Sequence, residues 1–111
     1  SKLYDLAGTE INLGDLCDDG SQMRPHIVWF GEPVPMMEKA IDIVQESDYF
    51  IIIGTSLMVY PASGLIDYVR DNVKKFYIDP EASSNLSRND IELISNRASS
   101  GVKSLVKRLM E

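Results

Sequence analysis

Three short stretches hold the residue types best suited to act on a ligand: Gly31-Glu32, Gly54-Thr55-Ser56 and Asp79-Pro80. Each follows directly on an apolar run. Gly54 has no Cβ to keep a ligand away from the backbone. Thr55 and Ser56 add the hydroxyl and amide donors that a phosphate or ribose accepts from. Asp79 closes the next run, about as far along as dinucleotide-binding folds place an acid on a ribose hydroxyl. The G-x-G-x-x-G fingerprint is absent, so the same spacing also describes an ordinary strand-to-helix turn.

Other chemically capable residues stand alone. His26 follows Arg24-Pro25 at the start of an apolar run, and a histidine without a placed partner is more often structural. Cys17 is the single cysteine, and a structural zinc site takes about four ligands. No zinc is expected in this stretch. Glu32 and Glu38 could be paired as acid and base, but Glu38 falls within a helical pattern with a solvent face. Asp15, Asp18 and Asp19 lack calcium-loop spacing and read as a solvated loop. Met36 and Met37 read as core and rim.

The surrounding elements must place these residues at strand ends. Ile27–Phe30, Tyr49–Ile53 and Lys75–Ile78 are short, mostly apolar runs closed by turn residues, the pattern of strands covered on both faces. Ile91-Glu92-Leu93-Ile94 alternates in part and suits a fourth strand. Met37/Ala40/Ile41/Val44, Ala62/Leu65/Ile66/Val69 and Val102/Leu105/Val106/Leu109 each follow helical spacing. Pro35 and Pro61 stand where helices start. Residues 1–25 carry Gly8, Gly14 and Gly20 and little periodicity, which predicts loop with one short strand around Ile11–Leu13. The alternation predicts an α/β fold: a three-layer, Rossmann-like, mainly parallel sheet with helices on both faces. Ligands of such sheets bind beyond the carboxyl ends of the strands.

Composition narrows the function classes. The 111 residues are 44% hydrophobic and 25% charged, with a net charge of −6 at pH 7. That acidic balance lacks the basic stripe of a nucleic-acid binder. Lys103, Lys107 and Arg108 lie toward the end of the last helical pattern, where cations complement the helix dipole. The run Tyr49–Ile53 is far short of the roughly 20 apolar residues of a membrane-spanning helix. The first residues show no signal-peptide pattern. One cysteine suits a reducing cytosol, so the expected localisation is cytoplasmic, with neither nucleic acid nor membrane as partner.

Arg24-Pro25-His26-Ile27-Val28-Trp29-Phe30-Gly31-Glu32 resembles the "RPHVVWFGE" string of sirtuins, the NAD-dependent protein lysine deacylases. Gly54-Thr55-Ser56-Leu57 with Val59-Tyr60-Pro61-Ala62 resembles their "GTSLxVYPA" motif. The two stand in family order and at family spacing, and the likeness is to the C-terminal part of a sirtuin. The resemblance implies a division at residue 25. Residues 1–25 would be a remnant of the small zinc-module region and linker, and 26–111 part of the NAD-binding domain.

It also implies roles. Phe30 would pack on the acyl-lysine side chain, and Val28 and Val59 would line the acyl-lysine tunnel. Gly31-Glu32 and Val59 would flank the substrate peptide as an added strand. Gly54, Thr55, Ser56, Tyr77, Asp79, Ala98 and Ser99 would stand around NAD. Tyr77 replaces the asparagine of the family's "N-x-E" stretch, and Asp79 replaces its acid one methylene shorter. The glycine-rich NAD loop, the "N-I-D" string and the histidine base belong to the family's N-terminal half. The implied parent is therefore a deacylase that binds NAD and an acyl-lysine protein or peptide. This stretch is expected to need that missing N-terminal half as its partner and to be inactive alone. A competing reading is a non-catalytic nucleotide-binding α/β module similar to the central domain of thiamine-diphosphate enzymes, and a third is an interaction domain without ligand.

Overall fold

The computed structural model describes residues 2–111. Two compact units are formed, Ser1–Val34 and Pro35–Glu111. This division is one of packing, whereas the sequence-based boundary at residue 25 is one of residue pattern.

The second unit runs α1 (Met37–Gln45), β1 (Tyr49–Ile53), a 3₁₀ helix (Ala62–Tyr68), β2 (Lys74–Ile78), α2 (Ala82–Asn85), β3 (Ile91–Ile94) and α3 (Ala98–Met110). The strands form one parallel sheet in the order β1-β2-β3, as the alternating pattern predicts. Register places Ile53, Ile78 and Ile94 side by side, so all three strands end at one level.

Paired residues of a parallel sheet share a face, and successive residues alternate. Ile52, Tyr77 and Ile91 therefore face one side, where they pack with Ile66 of the 3₁₀ helix and Ala82 of α2. Phe76 and Ile78 face the other side and pack with Leu105 of α3. Val44 of α1 joins Val69 and Val73 in a third cluster that also holds Phe50. Elements thus pack on both faces of the sheet, and the α/β class read from the sequence holds. Tyr77 and Ile78 are fully buried, and each contributes on the order of 1.5–3 kcal/mol of transfer free energy.

Local chemistry sets the element ends. The Ser47 hydroxyl donates to the Val44 carbonyl at 2.7 Å and closes α1 just before β1. The helix expected after Pro61 forms as a 3₁₀ helix rather than an α-helix. Its i, i+3 repeat still carries Ile66 and Val69 into the core. The one-turn α2 lies in a stretch whose polar Ser83, Ser84 and Asn85 carry no apolar periodicity.

Two expected strands are absent. Ile27–Phe30 is not a strand: the Glu32 amide donates to the Trp29 carbonyl at 3.0 Å, closing a turn with Gly31 at φ +87°. An apolar run becomes a strand only where a neighbour offers a ladder. Within its own unit this run finds local acceptors instead. The Trp29 amide donates to the Glu32 carboxylate at 3.1 Å and the Ile27 amide to the Pro25 carbonyl at 2.9 Å. Nor is Ile11–Leu13 a strand. Gly14 turns the chain at φ +97°, and the Gln22 side chain takes up the Gly14 amide and the Asn12 carbonyl that a ladder would have used. One bridge between Leu16 and Gln22 remains. Among the described residues no helix is long and apolar enough to cross a membrane.

Candidate functional site

The common strand ends put three candidate segments at one end of the sheet. Gly54 follows β1, and its amide donates to the Ile78 carbonyl at 3.0 Å. Asp79 follows β2, and its amide donates to the Ile94 carbonyl at 3.2 Å. Ala98 and Ser99 open α3 after β3. With strands roughly 4.8 Å apart, the three segments lie within about 10 Å of one another across the sheet.

The loop after β1 has an unusual backbone. Gly54 lies at φ +61° and Leu57 at φ +59°, so two left-handed residues bracket Thr55-Ser56. A Cβ at Gly54 would meet nothing within 4 Å, which leaves the backbone open to a ligand. The Leu57 amide donates to the Thr55 hydroxyl oxygen at 3.2 Å, and the Thr55 carbonyl accepts from the Tyr77 hydroxyl at 2.6 Å. Tyr77 is 0% exposed, so it meets this loop from inside and offers no surface to a ligand. Asp79 is partly exposed, and one of its oxygens accepts from the Glu81 amide at 2.8 Å. Its other oxygen can receive a hydroxyl.

Thr55 and Val59 also border a cavity of about 250 Å³ with Phe50, Ile52, Leu57 and Ile66. Ser63 lines it too, and its buried hydroxyl has no hydrogen-bond partner among the described residues.

The remaining candidates, Val28, Phe30, Gly31 and Glu32, cluster in the turn of the first unit. Phe30 is 92% exposed at its tip. Glu32 is anchored by the Arg24 guanidinium at 3.0 Å and by the Trp29 amide. Those bonds hold its carboxyl below the usual carboxylate value, Arg24 first. The Cys17 thiol donates to Asp19 at 2.8 Å, and with Ser21 it lowers the Asp19 carboxyl to about 2. Among the described residues, no group of three or more His, Cys, Asp or Glu is placed to hold a metal ion.

Asn85 is a site-supporting residue that sequence reasoning missed. It sits at the end of α2 and donates to the Tyr77 hydroxyl oxygen at 2.9 Å. Only Asp79-Pro80, which begins the turn into α2, marks its place in the sequence.

The arrangement is similar to known proteins. The model of the Sir2 family matches residues 5–61. An NAD-dependent protein deacylase of Bacteroides thetaiotaomicron is 45% identical over 101 residues, covering 91% of this chain and 43% of the relative. One of Helicobacter pylori is 42% identical over 102 residues, covering 92% and 44%. The chain thus spans under half the length of these curated relatives. A crystal structure of a Sir2 homologue–NAD complex superposes with a TM-score of 0.69 at 31% identity, over 86% of this chain and 38% of that one. A Sir2 structure bound to a propionylated peptide superposes with a TM-score of 0.59 at 28% identity, over 86% and 42%.

Proposed function

The chain belongs to the Sir2 family, and from that premise we propose that the protein carrying it is an NAD-dependent protein lysine deacylase. These residues would supply one side of its NAD cleft and a wall of its acyl-lysine tunnel. The observation that carries the reading is the convergence of Gly54–Ser56, Asp79 and Ala98–Ser99 at the carboxyl end of one parallel sheet.

That end of the sheet fits a dinucleotide. Gly54 leaves the backbone open, and Thr55 and Ser56 bring donors for phosphate and ribose. Asp79 accepts from an adenosine ribose hydroxyl through the oxygen that Glu81 leaves free. Ala98 and Ser99 stand at a helix start, where amide N–H groups face outward. Tyr77 takes part through Thr55. NAD supplies an electrophilic ribose carbon with nicotinamide as leaving group.

Phe30, exposed at its turn, is free to pack on the acyl-lysine chain beside Val28, and Val59 of the second unit is, by itself, an exposed apolar side chain of the kind that lines such a chain. Gly31 in the first unit and, separately, the Val59 amide in the second are each backbone groups suited to an extended peptide. The anchoring of Glu32 by Arg24 steadies that turn rather than providing a base. The remainder of the domain would bring the base and the nicotinamide pocket. The partners proposed are an acyl-lysine protein or peptide and that remainder, in a reducing, cytoplasmic setting that suits Cys17.

Calorimetry on the whole protein with an acetyl-lysine peptide and with ADP-ribose tests the reading. Phe30→Ala should weaken the peptide about 10-fold, the loss typical of an aromatic anchor, and leave ADP-ribose within about twofold. Equal losses would make Phe30 a structural residue, and absence of ADP-ribose binding by the unaltered protein would refute the NAD site.

A further inference from the structure

The buried Tyr77 hydroxyl lies in a directed relay. The Asn85 amide donates to the hydroxyl oxygen at 2.9 Å, and the hydroxyl donates to the Thr55 carbonyl at 2.6 Å. Because Asn85 fills the acceptor side of the hydroxyl, its single proton is committed to Thr55. A tyrosine with no exposed surface cannot turn to water instead, and an unmade bond there would cost its full desolvation. The relay also reaches the next strand end. Asp79 accepts the Glu81 amide at 2.8 Å in the turn that begins α2, and α2 carries Asn85.

The loop that this relay grips needs an external hold. Leu57 occupies left-handed space at φ +59°, which is unfavourable for a residue with a Cβ, and Gly54 at φ +61° brings no side chain to hold the loop. A trans peptide sets its carbonyl oxygen and its N–H on opposite sides. Drawing the Thr55 carbonyl inward to Tyr77 therefore turns the Ser56 N–H away from the core.

We propose that Tyr77 and Asn85 are positioning residues for the dinucleotide: through the Thr55 carbonyl they preset the Ser56 N–H to donate to a phosphate oxygen. The proposal rests on the NAD reading above. In the family pattern, the position of Tyr77 holds an asparagine. Here the phenol reaches the loop backbone from inside, and the amide that steadies it is supplied from α2 by Asn85.

The test uses the whole protein, with Tyr77→Phe, Asn85→Ala and the double variant. ADP-ribose and acetyl-lysine peptide affinities are measured by calorimetry, and amide exchange is followed at Ser56 and Leu57. Tyr77→Phe should weaken ADP-ribose about 3- to 10-fold, the worth of one hydrogen bond, and speed exchange at Leu57, whose amide the Thr55 hydroxyl holds. Peptide affinity should stay within about twofold. Asn85→Ala should cause a smaller loss, and adding it to Tyr77→Phe should change nothing further, since Asn85 acts through the hydroxyl. If Tyr77→Phe fails to fold, Asn85→Ala carries the test, because it leaves the ring in place. Unchanged ADP-ribose affinity in these variants overturns the proposal while the NAD reading stands. ADP-ribose and peptide affinities falling in step with Tm would also overturn it, as a purely structural effect. An unaltered protein that does not bind ADP-ribose overturns both.

Discussion

Gly101 of α3 lies hard against Ile78 of β2: a Cβ on residue 101 would stand 2.5 Å from the Ile78 Cγ2. Ile78 is fully buried and β-branched, so it has little room to give way. The contact explains a glycine inside a helix, where alanine would otherwise be favoured by about 1 kcal/mol. Gly101→Ala should therefore lower stability by about 1–2 kcal/mol net, as overpacking outweighs propensity. The denaturant midpoint measures this. Displacement of α3 would also move Ala98 and Ser99, so ADP-ribose affinity should fall with it.

Asp79 has two tasks that substitution can separate. One oxygen holds the Glu81 amide, and the other is proposed to take a ribose hydroxyl. Asp79→Asn keeps an acceptor for Glu81 but loses the charge. Stability should stay within about 0.5 kcal/mol, while ADP-ribose affinity falls about 10-fold, the worth of a charge-assisted bond. Asp79→Ala should lose both. Calorimetry beside thermal unfolding separates the two, and equal stability losses in both variants would assign Asp79 to the turn alone.

Continuous apolar runs closed by turn residues placed β1 and β2, partial alternation placed β3, and a 3.6-residue repeat placed the α1 and α3 helices. The same logic failed at Ile27–Phe30. Its apolar content matches a strand, but pairing depends on a neighbouring backbone that composition does not report. The strand-end residues Gly54–Ser56 and Asp79 were legible from turn chemistry. Tyr77 was legible only as a family substitution, and its part in the loop emerged with the 2.6 Å bond to Thr55. Asn85 left no signal beyond the Asp79-Pro80 turn before it, since a single helical turn of Ala, Ser, Ser and Asn has neither stripe nor cap.

Acid should weaken the second unit through Asp90. Arg88 grips both Asp90 oxygens at 2.9 Å, and buried Lys75 lies 3.7 Å away. Arg88, foremost, holds the Asp90 carboxyl below its ordinary 3.8. A depressed carboxyl contributes stability that is present above the unfolded value and lost as pH falls through the folded one. Asp90→Asn should thus cost most at neutral pH and progressively less below about pH 4. Its side chain is 45% exposed, so the neutral-pH loss should be about 1 kcal/mol, well under that of a fully buried pair. Lys75 then keeps only the Arg70 and Val73 carbonyls, at 3.3 and 3.5 Å. Urea midpoints at pH 7 and pH 3 check the sign.

Residues 1–111 by themselves should show no deacylase turnover. The proposed chemistry needs a base within hydrogen-bond reach of the NAD ribose. The strand-end segments Gly54–Ser56, Asp79 and Ala98–Ser99 contain no histidine. The sole histidine, His26, lies in the Arg24-Pro25-His26 string of the first unit, before the turn that carries Phe30. Glu32 is no substitute, because Arg24 holds its carboxyl low and thus weakly basic. The curated relatives are more than twice as long as the matched stretch, so over half of such a domain lies outside it. The β1 side of the sheet is an open edge. Among the described residues β1 pairs only with β2, and Ile51 and Ile53 on its α3-side face remain 39% and 44% exposed. A further strand along that edge would satisfy the open backbone groups and cover both side chains. Adding the remainder of the domain, in one chain or as a separate piece, should restore turnover. Ile51→Lys should hinder rescue by the separate piece more than rescue in one chain, where the effective concentration is higher. Nicotinamide release from NAD with an acetyl-lysine peptide is the assay. Turnover by residues 1–111 alone, abolished by His26→Ala, would falsify both the division of the site and the exclusion of His26 as its base.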